Sequence, residues 1–406
     1  MWSDLYFEVK RFIMYKLKNK FRQLFLTAAT VGAACLLAGC GVGASAAGAD
    51  ESGVTENQSE GNGCGENSDS SDSQKLQVVA TIFPEYDWVR EILGDQADNV
   101  DLTLLLGNGT DMHSFQPTMA DILKVSTCDV FIYVGGESDS WVADVLKGAG
   151  NPDRKAINLM DVLGDQVKEE EVVEGMQDED GHTHVEADAA DAHDSDADSD
   201  KERTESEVTE DSSHDSEGHS HDEGTDDDLE YDEHVWLSLK NASLFCDTIA
   251  STLANADPEH AQLYQQNAAA YEEKLAALDQ DYQTTVDGSQ SKTLLFADRF
   301  PFRYLTDDYN LTYYAAFTGC SAETDASFET ITFLAGKLDE LKLPVVLTIE
   351  NSDQKVAKAV IENTNTKDQK ILTLNSMQSV TAQNVEEGTT YLSIMENNLQ
   401  ILKEAL

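Results

Sequence analysis

LQVVATIFPEYDWVREILGDQADNVDLTLLL, residues 76–106, decides the fold. LQVVATIF and VDLTLLL are almost continuous in apolar and β-branched residues, which suits strands covered on both faces, while EYDWVREILGD between them spaces its apolar side chains as a helix does. Strand, helix and strand at this spacing form a βαβ unit, whose two strands run parallel. Reading onward, DVFIYVGG and KAINLM continue the strands, with PTMADILKVS and DSWVADVLKGA as the intervening helices.

The pattern stops at a long acidic segment and resumes at YDEHVWLSLKNASLFCDTIASTLANAD. Asp257 and Pro258 then stand as cap and first residue of a helix through PEHAQLYQQNAAAYEEKLAALDQDYQTTV, long enough to cross two lobes. A second series follows, with strands KTLLFAD, LTYYAAF, VVLTIE and KILTLN alternating with helices. The expected class is α/β: two parallel-sheet lobes joined by one long rigid helix, with a His/acid-rich insertion that cannot bury enough apolar surface to fold. The expected boundaries are an N-terminal lobe at 75–256 that includes an acidic loop at 165–230, a linking helix at 257–287, and a C-terminal lobe at 288–406.

Ahead of the lobes, basic residues lead into LFLTAATVGAACLLAGC, too short to span a bilayer stably and patterned as a secretory signal. Leu37-Ala38-Gly39-Cys40 resembles the bacterial lipoprotein signal, which implies cleavage after residue 39 and lipid on Cys40. Residues 40–74 are Gly/Ser/acidic and read as a flexible tether. Met14 also precedes a complete signal and is an alternative start.

The net charge of −50 is concentrated: 30 acidic against 3 basic residues lie between Gly164 and Glu233. The remainder offers no basic footprint for nucleic acid, so a cationic partner is expected. Six of the nine histidines fall in the same segment: His182, His184, His193, His214, His219 and His221. Imidazole among carboxylates reads as a weak collector of metal ions, the alternative being a solvated acidic insertion. No CxxC spacing supports a thiolate zinc site. An extracytoplasmic chain permits a disulfide, and Cys246 with Cys320 is the expected pair.

Ligands in open parallel sheets bind beyond the carboxyl ends of the strands. His113 lies there, in GNGTDMHSFQPT, and His234 lies in YDEHVWLSLKNA directly after the acidic segment. These contexts, the lipoprotein signal, the PEHAQLYQQNAAAY helix and the His/acid loop resemble the zinc- and manganese-binding substrate-binding proteins of bacterial ABC transporters. The resemblance spans residues 75–406. It implies one metal ion in a cleft between two lobes, with His113 and His234 as ligands from the N-terminal side.

In the second lobe the chain departs from that family. Where the family places a histidine (zinc) or glutamate (manganese), this chain has FADRFPFRYL; Asp298 takes the slot, and Arg299, one residue on, cannot ligate. Asn375 stands where the family has a later aspartate, Glu350 is a further strand-end carboxylate, and Glu323 matches a glutamate that supports ligands rather than touching the ion. Asp298 and Glu350 read equally well as caps of the helices that follow.

The resemblance thus implies a lipid-anchored extracytoplasmic receptor, a monomer, that binds Zn2+ (alternatively Mn2+) and hands it to an ABC permease without catalysing a reaction. The competing readings are an extracellular metal buffer or adhesin and a metal-dependent hydrolase; against the last, the chain has neither HExxH nor GxSxG. Imidazole ligation implies binding that weakens as pH falls through about 6.5.

Overall fold

The computed structural model describes residues 75–177, 230–321 and 325–406. The signal and tether with Cys40, the six histidines of the acidic segment (His182 to His221) and Glu323 lie outside the described residues. Among the described residues no helix is long and apolar enough to cross a membrane.

Two parallel four-stranded sheets form, as the strand pattern requires. The first contains β1 (Leu76–Ala80), β2 (Val100–Leu104), β3 (Val130–Tyr133) and β4 (Lys155–Asn158) in the order β2-β1-β3-β4. The second contains β5 (Thr293–Phe300), β6 (Thr312–Thr318), β7 (Val345–Thr348) and β8 (Lys370–Thr373) in the equivalent order β6-β5-β7-β8. In each sheet the order reverses beside the first strand, which opens a crevice past the carboxyl ends.

Helices cover the sheets: α1 (Phe83–Leu93), α2 (Met119–Thr127), α3 (Val142–Lys147), α4 (Leu159–Leu163) and α5 (Leu239–Ala256) on the N-terminal side. The C-terminal side carries α7 (Arg303–Asp308), α8 (Phe328–Leu341), α9 (Lys355–Glu362), α10 (Ala382–Glu386) and α11 (Tyr391–Ala405). Between them runs α6 (Ala261–Gly288), 28 residues and therefore about 42 Å long. Its buried seam, Tyr264, Ala268, Tyr271, Leu275, Leu278, Tyr282 and Val286, recurs every three or four residues and so lies along one face. Near its start Asn267 Nδ2 donates to Ile92 O of α1 at 2.9 Å, and near its end Tyr282 Oη donates to Met395 O of α11 at 2.6 Å. One rigid element therefore grips both halves.

Its start differs from the sequence expectation. The helix begins at Ala261, not Pro258, because the Asp257 carboxylate accepts the His260 ring and the Tyr264 hydroxyl, both at 2.7 Å, instead of capping the first turn.

The expected disulfide does not form: Cys128, Cys246 and Cys320 are free thiols. Cys246 is buried in α5 within the main apolar core, whereas Cys320 follows β6 in the loop beside His234. A disulfide requires Cβ atoms about 3.5–4.5 Å apart, and these two side chains serve separate environments.

The ends of the acidic segment are anchored in the fold. Asp232 N donates to Lys168 O and Glu170 N to Glu230 O, at 2.9 and 2.8 Å, with Glu169 and Tyr231 bridged antiparallel. On the departing side Met176 is fully buried, and Gln177 pairs in parallel with Phe317 of β6, its N–H donating to Ala316 O at 3.0 Å.

Candidate metal centre

His113 is placed by the loop that leaves β2. The Asp111 carboxylate accepts the His113 N–H at 3.1 Å and caps a single 3₁₀ turn, Met112–Ser114. His234 is placed by the chain that re-enters after the acidic segment. One Asp232 oxygen accepts both its backbone N–H, at 2.8 Å, and its ring Nδ1, at 3.0 Å. The next turn buries Trp236, whose Nε1 donates to Ser376 O of the C-terminal lobe at 2.8 Å.

The two rings meet at the crevice, tilted to each other, with Nε2 to Nε2 at 3.1 Å. His113 Nδ1 lies 2.8 Å from Ser138 Oγ and 3.5 Å from Glu233 Oε2. Each Nδ1 lies beside an oxygen able to accept its proton, and in that tautomer each Nε2 offers a lone pair. Two lone pairs aimed at one point call for a cation between them. Tetrahedral zinc, with Zn–N of about 2.0–2.1 Å, holds two nitrogens about 3.3 Å apart. A carboxylate behind a ligating imidazole is the usual second partner of such a nitrogen.

The surroundings keep His113 in its neutral form, the one that can ligate. Burial holds the His113 imidazole neutral down to about 3, with the neighbouring His234 and Arg299 adding to the effect against Asp111. Burial opposes ionisation of Asp111, but Arg299, His113 and their hydrogen bonds outweigh it and keep the carboxyl below its usual range. Deeper in the lobe, burial and Asp139 raise Glu85 to about 8, and burial, with Glu233 adding, raises Asp139 to about 7. Burial likewise raises Glu233, although Ser138 donates to it.

In the C-terminal lobe the expected carboxylates accept hydrogen bonds, mostly from backbone N–H groups. Asp298 accepts the Arg299 N–H at 2.9 Å and the Ile349 N–H at 3.4 Å, so it ties β5 to the end of β7. Arg299 crosses the crevice to Asp111, Nη2 to Oδ2 at 2.6 Å. Glu350 accepts Ser376 N, Ser376 Oγ and Gln378 N at 2.7–3.0 Å, organising the turn after β8. Asn375 Oδ1 accepts Met377 N in that same turn. None of these carboxylates joins the cluster of ligand atoms found among the described residues, which comprises His113, His234 and Cys320 within 4.8 Å of one another.

Sequence reasoning placed Cys320 in a disulfide and did not single out Asp232, Ser138 and Gly319. Cys320 could have been flagged by the strand-end rule that flagged His113, since it lies two residues past β6. Gly319 is visible only in three dimensions: a Cβ there would lie 2.9 Å from Phe300 O and 3.0 Å from His234 Cε1, so a side chain would push the ring aside.

The family model described as ZnuA, zinc-uptake complex component A, periplasmic, matches residues 78–405. The zinc-binding lipoprotein AdcA of Streptococcus pneumoniae is 29% identical over 330 residues, 81% of this chain and 56% of the relative. This chain therefore spans about half the length of the AdcA relatives it matches. The high-affinity zinc uptake system protein ZnuA of Bacillus subtilis is 25% identical over 349 residues, covering 85% of this chain and 92% of that protein. Among solved structures, the Zn(II)-bound ZnuA-like domain of S. pneumoniae AdcA aligns with a TM-score of 0.57 at 23% identity, covering 82% of this chain and 98% of that one, a likeness of fold.

Proposed function

Because the chain belongs to the ZnuA family of zinc-uptake components, we propose that it is a receptor that captures one zinc ion between His113 and His234 and delivers it to an ABC permease. The observation that carries this reading is the pair of Nε2 atoms facing each other at 3.1 Å with both Nδ1 atoms engaged. His234 is fully buried and His113 nearly so, which suits retention of a cargo more than turnover of a substrate. Anchoring through lipid on Cys40, an extracytoplasmic location, a monomeric state and the lobe boundaries at 75–256, 257–287 and 288–406 belong to the same proposal. The six histidines of the acidic segment would then raise the local zinc concentration beside the crevice, since both ends of that segment are fixed in the fold.

The test is competitive zinc titration of the mature chain against a chromophoric chelator strong enough to strip the weak sites of the acidic segment. One tight site per chain is expected. His113→Ala and His234→Ala should each weaken it by at least about a hundredfold, on the scale of losing a direct ligand rather than a 10–100-fold orienting partner. Near-native affinity in both variants would overturn the site.

A further inference from the structure

We propose that Cys320 supplies a thiolate ligand to the ion held by His113 and His234, so that the centre is His2Cys and its cargo a thiophilic cation. The inference rests on the receptor reading above and names the ligand contributed by the second lobe.

Geometry carries it. Cys320 Sγ and one nitrogen of each imidazole lie within 4.8 Å of one another. A tetrahedral zinc with Zn–S of about 2.3 Å and Zn–N of about 2.0–2.1 Å separates sulfur from nitrogen by about 3.6 Å, so the three atoms lie within a small adjustment of one coordination sphere. The cysteine is held in place from both sides. Its N–H donates to Glu170 Oε1 at 3.0 Å, and Gly319 before it lets the chain run against the His234 ring.

The alternatives from the same lobe are engaged elsewhere. Asp298 binds the backbone of β5 and the residue after β7, Glu350 holds the turn at 376–378, and Arg299 reaches Asp111 instead of the ion. The thiol is thus the donor that the second lobe presents among the described residues. Coordination breaks the S–H bond, forms an S–metal bond and releases the proton to solvent, with no change of oxidation state. Thiolate with two imidazoles favours zinc, cadmium and cobalt over manganese, which prefers carboxylate and water oxygen.

The test uses cobalt(II) as the probe in the mature full-length chain. One equivalent should give the visible bands of a tetrahedral centre together with a near-ultraviolet sulfur-to-cobalt charge-transfer band. Cys320→Ser should abolish the charge-transfer band and keep the visible bands, while Cys64→Ser and Cys128→Ser should keep both. Zinc should bind the Cys320→Ser chain at least about 10–100-fold more weakly, no less than the loss of an orienting partner.

Alkylation read by mass spectrometry gives a measurement that needs no variant: one equivalent of zinc should protect Cys320. Visible bands without charge transfer in the wild-type chain, charge transfer that survives Cys320→Ser, or zinc-independent alkylation of Cys320 would each overturn the thiolate and leave the receptor reading standing. Failure of the wild-type chain to bind either metal tightly would overturn both.

Discussion

Asp232 spends one carboxylate oxygen on two donors of the same histidine, fixing both the backbone entry and the ring of His234. Asp232→Asn should keep the chain folded but replace that shared acceptor with an amide that cannot favour the Nδ1–H tautomer as strongly. Zinc affinity should fall about 10–100-fold, measured by the same chelator competition. The two histidines were legible in sequence because each follows a strand-end or segment-end loop where parallel sheets gather ligands. Asp298 and Glu350 occupy equally suggestive positions, and residue type does not say whether backbone N–H groups claim a carboxylate first. Cys320 was read as half of a disulfide because cysteine arithmetic counts thiols, whereas pairing depends on distance; in the fold it is a free thiol within 4.8 Å of the two imidazoles.

Helix α1 carries two buried acids, Glu85 and Asp87, whose protons are held above the usual carboxylate range. Glu85 Oε2, at its start, accepts Thr81 N and Ile82 N at 2.8 and 3.2 Å together with the Thr81 hydroxyl at 3.0 Å, while Oε1 is buried without a partner. Burial raises Glu85 to about 8, Asp87 to about 6 and Asp139 to about 7, each above its value in the unfolded chain. Their stabilisation is complete below about pH 4 and is lost as pH rises through 6 to 8, because the unfolded chain releases those protons first. His113 acts oppositely: held down to about 3, it favours the folded state above about 6.5 and loses that contribution as pH falls. Above pH 6.5 the raised carboxylates dominate, and the buried thiols Cys128, Cys246 and Cys320, also raised by burial, add in the same direction. The metal-free chain should therefore melt lower at pH 8.5 than at pH 6.5, and Glu85→Gln, neutral at both, should shrink the difference by on the order of a few °C in calorimetry. Strand and helix periodicity announced α1 clearly, but its buried charge was not legible, since Glu85 reads as an ordinary first-turn acid.

At the scale of the whole molecule, two lobes of equal sheet order, a helix that grips both and the Arg299–Asp111 pair across the crevice form one unit. This architecture was legible because parallel strands are apolar throughout and the long helix has few breakers. The roots of the acidic segment were not, since both depend on partners distant in sequence: Gln177 pairs with Phe317 of β6, and residues 230–232 pair back with 168–170. They decide how the segment can be removed. Deleting 178–229 should leave fold and tight zinc binding intact, whereas deletion from 175 takes away Met176 and the strand pairing of Gln177. The longer deletion should cost at least the roughly 2–5 kcal/mol of emptying a buried Met site, read as a lower denaturant midpoint.

The Gln177 pairing has a colloidal side as well. β6 is the outer strand of its sheet, and an outer strand with unpaired amides is a template on which a second chain can polymerise. Gln177 occupies Ala316 and Phe317 on that border, and the acidic sequence that begins at the next residue adds like charge that keeps copies apart. Trimmed one residue too far, the protein would lose both guards at the same place, and its first symptom would be turbidity, ahead of any defect in zinc handling.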